Sequence, residues 1–154
     1  MKAKSTHEGM LEAIRAWLEA RGFKAAVAQE KFPIFVGDIV PSQVTMQPDV
    51  IGIKDSKVCI IEAETDPTWF TCALGKSLVW KTLATYVYIA YPEENFKEFR
   101  ILEKLGIGLL KVSPEEVTEA IKISDKDIMS ILELHPLDYE REQAIYTQLK
   151  GILK

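Results

Sequence analysis

The chain has 154 residues, 47% of them hydrophobic, and a formal net charge of −4 at pH 7. This predicts one globular domain with a sizeable core and argues against a uniformly basic nucleic-acid surface. No apolar run approaches the roughly 18 residues of a membrane span, and the N-terminus does not have the apolar core of a secretory signal. We therefore expect a cytoplasmic protein that does not associate with membranes.

The first part of the chain predicts a helix followed by strands. The segment Ser5-Thr6-His7-Glu8 is typical of a helix cap, and apolar residues follow at helical spacing until Gly22. Four segments then have the pattern of strands, at residues 23–31, 34–40, 48–53 and 58–64. The last two are rich in Val and Ile, and the polar turn at 54–57 joins them as adjacent buried strands.

The second part alternates helices and strands. In chain order we predict a helix from Asp66 to about Leu83, a strand at 86–91, a helix at 93–105 closed by Gly106, and a strand at 108–112. Residues 114–154 are mostly helical by pattern. The order predicts an α/β sheet with helices on both faces, in a single domain over 1–154 with a core at about 5–112 and a helical tail.

Acidic residues stand at the ends of the two apolar strands. In a hairpin centred on residues 55 and 56, Asp49 lies opposite Glu62, and Glu62 and Glu64 point the same way. Three carboxylates at one edge of a sheet repel one another unless a cation lies among them, and a divalent metal ion with oxygen ligands suits the position. Taken alone, Glu62 and Glu64 are also explained as the solvent face of an edge strand, and Asp49 as a turn residue after a proline.

A strand bearing Pro48-Asp49 precedes a strand ending in Glu62-Ala63-Glu64, with a helix before them and a helix and strand after. This order resembles the PD-(D/E)XK nuclease superfamily, whose restriction-endonuclease-like fold is shared by archaeal Holliday junction resolvases and RecB-type nucleases. The resemblance covers roughly residues 5–112. It implies a central mixed sheet flanked by helices, with a helical C-terminal extension. It also implies DNA as the substrate, and Asp49 and Glu62 as catalytic ligands of Mg²⁺ or Mn²⁺, with the Ala63 carbonyl near the ion.

The chain departs from this family at Glu64, where most members have a lysine that stabilises charge on the phosphate. A glutamate there could act instead as a general base or bind a second metal ion. Lys76 and Trp80, one helical turn apart, occupy the spacing of a Gln-x-x-x-Tyr pattern in RecB-like members. Lys76 is therefore either a migrated catalytic lysine or a solvated helix residue, and Lys81 is a weaker candidate for the same role.

Two residues at the start of the first helix bear on the site. Glu8 matches an acid that many members of the family place beside the metal, and is equally explained by the positive end of the helix dipole. We interpret His7 as a surface residue of the helix cap. Any DNA-binding surface must be local on an acidic chain, so we expect lysines to gather at one rim of the site. The candidates are Lys2, Lys4, Lys24, Lys31, Lys76 and Lys81.

Three functional classes follow from these residues. The first is a metal-dependent nuclease that cuts DNA, and the second is a catalytically inactive nuclease-fold protein acting in nucleic-acid binding or protein assembly. The third is a Rossmann-like small-molecule enzyme, which the absence of a Gly-x-Gly-x-x-Gly motif disfavours. The sequence leaves open whether the chain forms a homodimer, as resolvase-like and restriction-like members commonly do.

Overall fold

A computed structural model describes residues 6–27, 34–35, 45–123 and 150, and these form an α/β structure around a six-stranded mixed sheet. The helices and strands are α1 (His7–Ala20), β1 (Lys24–Val27), β2 (Ile34–Phe35), β3 (Thr45–Met46), β4 (Val50–Lys54), β5 (Lys57–Ala63), α2 (Phe70–Lys81), β6 (Tyr86–Pro92), α3 (Ile101–Leu105), β7 (Gly108–Val112) and β8 (Val117–Ile121). No helix among the described residues is long and apolar enough to cross a membrane.

The sheet has the order β1-β4-β5-β6-β7-β8, and β2 pairs with β3 in a separate two-stranded ribbon. The strand β6 is parallel to β5 and to β7, whereas the remaining neighbours in the large sheet are antiparallel. Helix α1 packs on one face, and α2 and α3 pack on the other. The predicted α/β sheet with helices on both faces is therefore confirmed.

Helix α1 forms as its sequence predicts. The hydroxyl of Thr6 accepts a hydrogen bond of 3.0 Å from the Gly9 amide and so caps the helix. One face is buried in the core through Met10, Leu11, Ile14 and Leu18. The helix is followed by Gly22 at φ +87°, a backbone conformation that glycine adopts without steric cost.

The β4–β5 hairpin places the acidic residues. Its turn residues Asp55 and Ser56 both have positive φ, which matches the right-handed twist of the two strands. The register pairs Val50 with Ile61, so Asp49 lies opposite Glu62 as predicted. The strand β5 is central, and every residue of it after Lys57 is buried. This excludes the interpretation of Glu62 as the solvent face of an edge strand.

The predicted helix at 93–105 is wrong over most of its length. The chain instead forms a 3₁₀ turn at Glu93–Asn95, then leaves helical geometry at Phe96, and only Ile101–Leu105 is α-helical. The non-helical stretch lets the ring of Phe99 stack on Phe70 with 3.8 Å between ring centroids. The packing of Phe99 on Phe70, the first residue of α2, outweighs the helical pattern of residues 93–105.

The prediction of helix beyond Pro114 is wrong at residues 117–121. These residues form β8, which pairs antiparallel with β7 and covers what would otherwise be an open sheet edge. A β-bulge between Leu109 and Leu110 shifts the register of this pair. Residues 114–116, 122 and 123 are not helical either, whereas Lys150 is. The rest of the predicted helical tail, at 124–149 and 151–154, lies outside the described residues, as do the predicted strand residues 28–31 and 36–40.

Candidate functional site

Asp49 and Glu62 face each other at the end of the β4–β5 hairpin that lies far from its turn. The backbone amide of Ala63 donates a hydrogen bond of 2.8 Å to Asp49 Oδ2, which fixes the Asp49 carboxylate against the end of β5. Glu62 is only 1% exposed. The hairpin thus holds one partly exposed and one buried carboxyl side by side.

The pKa of Glu62 is strongly perturbed. Burial is the main cause and the charge of Asp49 the next, and together they raise the pKa of Glu62 from 4.5 to about 8. Two groups on α2 act in the opposite direction: the indole of Trp80, which donates a hydrogen bond of 2.6 Å to Glu62 Oε1, and the charge of Lys76. A bound cation would reduce the free-energy cost of ionising Glu62 beside Asp49.

Glu64 lies one step further along the same face, just beyond the end of β5, where its backbone amide donates to Ala90 O at 3.0 Å. Burial raises the pKa of Glu64, and the charge of Asp49 adds to this while Lys76 opposes it. Glu64 is only partly buried. Glu64, like Asp49, therefore meets solvent, whereas Glu62 does not.

Helix α2 contributes Lys76 and Trp80, four residues apart and on one face. Lys76 is exposed, and its charge acts on both Glu62 and Glu64. Trp80 is fully buried and hydrogen-bonded to Glu62. The structure thus brings together five of the residues singled out from the sequence: Asp49, Glu62, Glu64, Lys76 and Trp80.

Two other sequence candidates are placed elsewhere. Lys81 donates hydrogen bonds to the carbonyl oxygens of Leu105 and Gly106, at 2.8 and 3.1 Å, and so binds the C-terminal end of α3. Glu8 is exposed on the first turn of α1. The structure gives neither residue a contact with the Asp49–Glu62 pair.

His7 does belong to the site, although the sequence interpretation assigned it to the helix surface. Its Nε2 lies 3.1 Å from the carbonyl oxygen of Ala63 and 3.9 Å from Asp49 Oδ2. A carbonyl oxygen only accepts, so Nε2 carries the proton in this contact. The sequence signal for a role of His7 in the site was its position next to Glu8. The family resemblance implies that an acid at position 8 lies beside the metal.

The part of the chain that the structure describes does not contain a three-carboxylate metal cluster. Among the described residues, no group of three or more His, Cys, Asp or Glu side chains is arranged to hold one metal ion. The expectation that Asp49, Glu62 and Glu64 form one metal-sized cluster is therefore wrong for this arrangement of side chains. The close pair is Asp49 and Glu62.

Two buried hydroxyl groups on the α2 side of the sheet have no hydrogen-bond partner. They are Ser77 Oγ on α2 and the phenol of Tyr91 on β6. Burial raises the pKa of Tyr91, and the charges of Glu64 and Asp66 add to the shift. Leaving a buried hydroxyl without a hydrogen-bond partner costs free energy. The unpartnered phenol of Tyr91 carries this cost at a position where the charges of Glu64 and Asp66 act on it.

A cleft of about 1090 Å³ lies at the opposite end of the sheet, on the face covered by α1. Its walls include Arg21 and Glu119, which form an ion pair of 2.7 Å, and Tyr88, whose hydroxyl donates to Glu119 at 3.2 Å. The guanidinium of Arg21 also lies 4.0 Å from the centre of the Trp17 ring. Arg21, Tyr88 and Glu119 thus interact with one another across the cleft.

Comparisons with known proteins bear on the fold alone. No protein-family model matches the chain, and no curated protein is similar to it. Among solved structures, the chain is similar to the SPO1766 protein of unknown function from Silicibacter pomeroyi, with 14% identity over 92% of this chain and 91% of that one and a TM-score of 0.50.

Proposed function

We propose that the chain is a metal-dependent nuclease of restriction-endonuclease-like fold that hydrolyses DNA phosphodiester bonds at the Asp49–Glu62 pair. The observation that carries the proposal is this pair itself, held across a central hairpin with Glu62 buried. A buried acid beside a second carboxyl costs stability, and such a cost is typical of a site that serves a function.

The residues fit a hard divalent cation. Mg²⁺ commonly binds through one or two carboxylates, with waters and substrate phosphate oxygens completing its shell, so the Asp49–Glu62 pair supplies enough protein oxygens. Burial and the charge of Asp49 raise the pKa of Glu62, and a bound cation would oppose both effects by favouring the ionised carboxylate. Bound there, Mg²⁺ or Mn²⁺ would polarise a phosphoryl oxygen and lower the pKa of a water molecule.

The chain's own residues have distinct roles in this proposal. The Ala63 amide orients Asp49, and the Trp80 indole orients Glu62. Glu64, which meets solvent, accepts a proton from the attacking water as a new bond forms from water oxygen to phosphorus and the bond to the leaving oxygen breaks. Lys76 stabilises the negative charge that develops on the phosphate.

The alternative is a catalytically inactive nuclease-fold protein that binds nucleic acid or assembles with other proteins. The observation that favours it is the buried state of Glu62. A pKa of about 8 keeps this carboxyl largely protonated near neutral pH, and a protonated carboxyl is a poor metal ligand. The two proposals differ in whether Mg²⁺ or Mn²⁺ can displace that proton.

Metal binding and cleavage should be measured on the same preparations. Calorimetric titration with Mg²⁺ and Mn²⁺ tests the ion site, and labelled single-stranded, duplex, flap and junction DNA tests hydrolysis. Asp49→Asn should abolish both signals, whereas Asp55→Asn, in the turn at the far end of the hairpin, should leave both unchanged. Metal binding without cleavage of any substrate would favour the inactive alternative, and absence of metal binding would overturn the nuclease proposal.

A further inference from the structure

The side chain of Trp69 is exposed on the segment that joins the acid-bearing strand β5 to α2. Three large apolar side chains are exposed among the described residues, and Trp69 is the most exposed of them at 58%, followed by Ile101 and Leu78. An indole offers more flat apolar area than any other side chain, and leaving it in water forgoes the free energy of its burial. An exposed indole on this connecting segment therefore points to a flat ligand.

The segment that carries Trp69 is fixed by hydrogen bonds. Asp66 Oδ1 accepts from the Thr68 amide at 2.9 Å, and the Trp69 amide donates to the Asp66 carbonyl at 3.1 Å. The side-chain amide of Asn95 donates to Thr65 O at 2.9 Å and ties the segment to the chain after β6. Because the backbone is already ordered, little conformational entropy is lost when the indole stacks on a ligand.

Trp69 lies between the acid-bearing strand and α2. It follows Glu64 by five residues, in a segment whose 3₁₀ turn at Pro67–Trp69 is capped by the Asp66 side chain. Trp69 immediately precedes α2, seven residues before Lys76 and eleven before Trp80, and Trp80 contacts Glu62. These spacings are close to two and three helical turns, so Trp69 precedes α2 on the side of the helix that carries Lys76 and Trp80.

Among the described residues, few of the lysines predicted to form a basic rim act on the acid group. Of the lysines predicted to form a basic rim, Lys24 pairs with Ile53 near the hairpin turn at the far end of the sheet, and Lys81 binds the end of α3. Three further cations, Lys54, Lys57 and Lys122, line the distant cleft. Within the described residues, Lys76 is the rim candidate whose charge acts on the acid group.

We propose that Trp69 stacks on an unpaired nucleobase beside the scissile phosphate, so that the substrate is single-stranded DNA or DNA with unpaired ends. Bases inside a duplex are already stacked on each other and present no free face to an indole, whereas an unpaired base does. This inference rests on the proposed nuclease function for the scissile phosphate, and the stacking contact is tested separately from cleavage.

Binding is measured by fluorescence anisotropy of a labelled oligothymidylate and of a matched duplex, in EDTA so that no strand is cut. We expect the single strand to bind more tightly, and Trp69→Ala to weaken that binding by about 5- to 150-fold. Trp69→Phe, which retains an aromatic face, should keep most of the affinity. Leu78→Ala removes another exposed apolar side chain and should leave the affinity unchanged.

The outcomes separate the two proposals. Unchanged single-strand affinity in Trp69→Ala, or tighter binding of the duplex, overturns the stacking contact even if the protein cleaves DNA. Trp69-dependent binding without cleavage in Mg²⁺ or Mn²⁺ supports the stacking contact while the nuclease proposal fails. A dimer that becomes a monomer on Trp69→Ala, with no DNA binding by the wild type, would show that the indole contacts a second copy of the chain and would overturn the inference.

Discussion

The indole of Trp80 donates its N–H to Glu62 Oε1 at 2.6 Å, and both side chains are almost completely buried. A hydrogen bond to the ionised form of a carboxyl stabilises that form, and here it opposes the larger effects of burial and of the charge of Asp49. Trp80 therefore orients the acid and also eases its ionisation. Because Trp80 acts on the site through its hydrogen bond to Glu62, it is a positioning residue.

Trp80→Phe tests this role. Without the indole N–H the pKa of Glu62 should rise further, so Mg²⁺ affinity at pH 7 should fall and should recover in part at pH 9. The buried acceptor also loses its donor, and the free energy of unfolding should fall by about 1–3 kcal/mol. Trp17→Phe is the matched control, because Trp17 packs edge-on against Tyr88 in the other core layer. Equal Mg²⁺ affinity in Trp80→Phe and wild type would contradict the role.

The pH dependence of stability follows from the raised pKa of Glu62. In the unfolded chain this group ionises near pH 4.5, but in the folded metal-free protein only near pH 8. The folded state therefore holds the extra proton between these values, and the free energy of unfolding should decrease as pH rises from about 4.5 to 8. The contribution that is lost is on the order of a few kcal/mol.

Urea denaturation of metal-free protein across this pH range measures the effect. Glu62→Gln should flatten the decrease, because glutamine has no proton to lose. Glu115→Gln changes an exposed acid in the turn between β7 and β8 and should retain the wild-type slope. A Glu62→Gln protein with the wild-type pH profile would show that another group causes the decrease.

The hairpin and its acids were predictable from the sequence because their geometry is local. A two-residue turn fixes the register of both strands, and the alternation of side chains then places Asp49 opposite Glu62. The spacing of Lys76 and Trp80 on α2 was likewise set by helical periodicity. These features need no information from distant parts of the chain.

The remaining features depend on tertiary contacts that a local pattern does not contain. The extended stretch before α3 arises because Phe99 stacks on Phe70, almost thirty residues away in sequence. Residues 117–121 become a strand because β7 offers an edge to pair with. His7 reaches Ala63 only because α1 crosses the sheet near the end of β5. In each case a contact with residues distant in the sequence determines the local structure.

Asp49→Asn and Asp49→Ala separate the two contributions of Asp49. Asparagine keeps an oxygen that can accept from the Ala63 amide but removes the charge that raises the pKa of Glu62. We therefore expect Asp49→Asn to be as stable as the wild type or more stable in metal-free buffer at pH 8. Asp49→Ala leaves the Ala63 amide without its acceptor and should lose about 1–3 kcal/mol relative to Asp49→Asn. Equal unfolding free energies would show that this amide bond contributes little.

The unpartnered phenol of Tyr91 predicts an unusual response to substitution. Tyr91→Phe removes a buried hydroxyl that has no hydrogen-bond partner, so the free energy of unfolding should stay the same or rise by up to about 1 kcal/mol. Tyr88→Phe is the contrasting control, since its hydroxyl donates to Glu119 at 3.2 Å and its loss should destabilise the protein by about 1 kcal/mol. Thermal and urea denaturation check both. A clear destabilisation by Tyr91→Phe would reveal a partner for this hydroxyl.

Lys76 is the residue we expect to replace the lysine missing from position 64. Its charge opposes the rise in the pKa of both Glu62 and Glu64, so we expect it to act also on a phosphate bound at the acid pair. A positioned cation stabilises the charge that develops in the transition state, and its removal commonly costs 10²–10³-fold in rate, roughly 3–4 kcal/mol.

Lys76→Ala should therefore lower the cleavage rate by a factor on the order of 10²–10³ while Mg²⁺ affinity changes little. Lys81→Ala, five residues later on α2, removes hydrogen bonds to Leu105 and Gly106, so it should mainly reduce stability and leave most of the rate. Single-turnover cleavage at saturating Mg²⁺ separates the rate from metal binding, and Lys76→Arg, which keeps a cation, should retain more activity than Lys76→Ala. Full activity in Lys76→Ala would assign the stabilisation of phosphate charge to the bound metal ion instead.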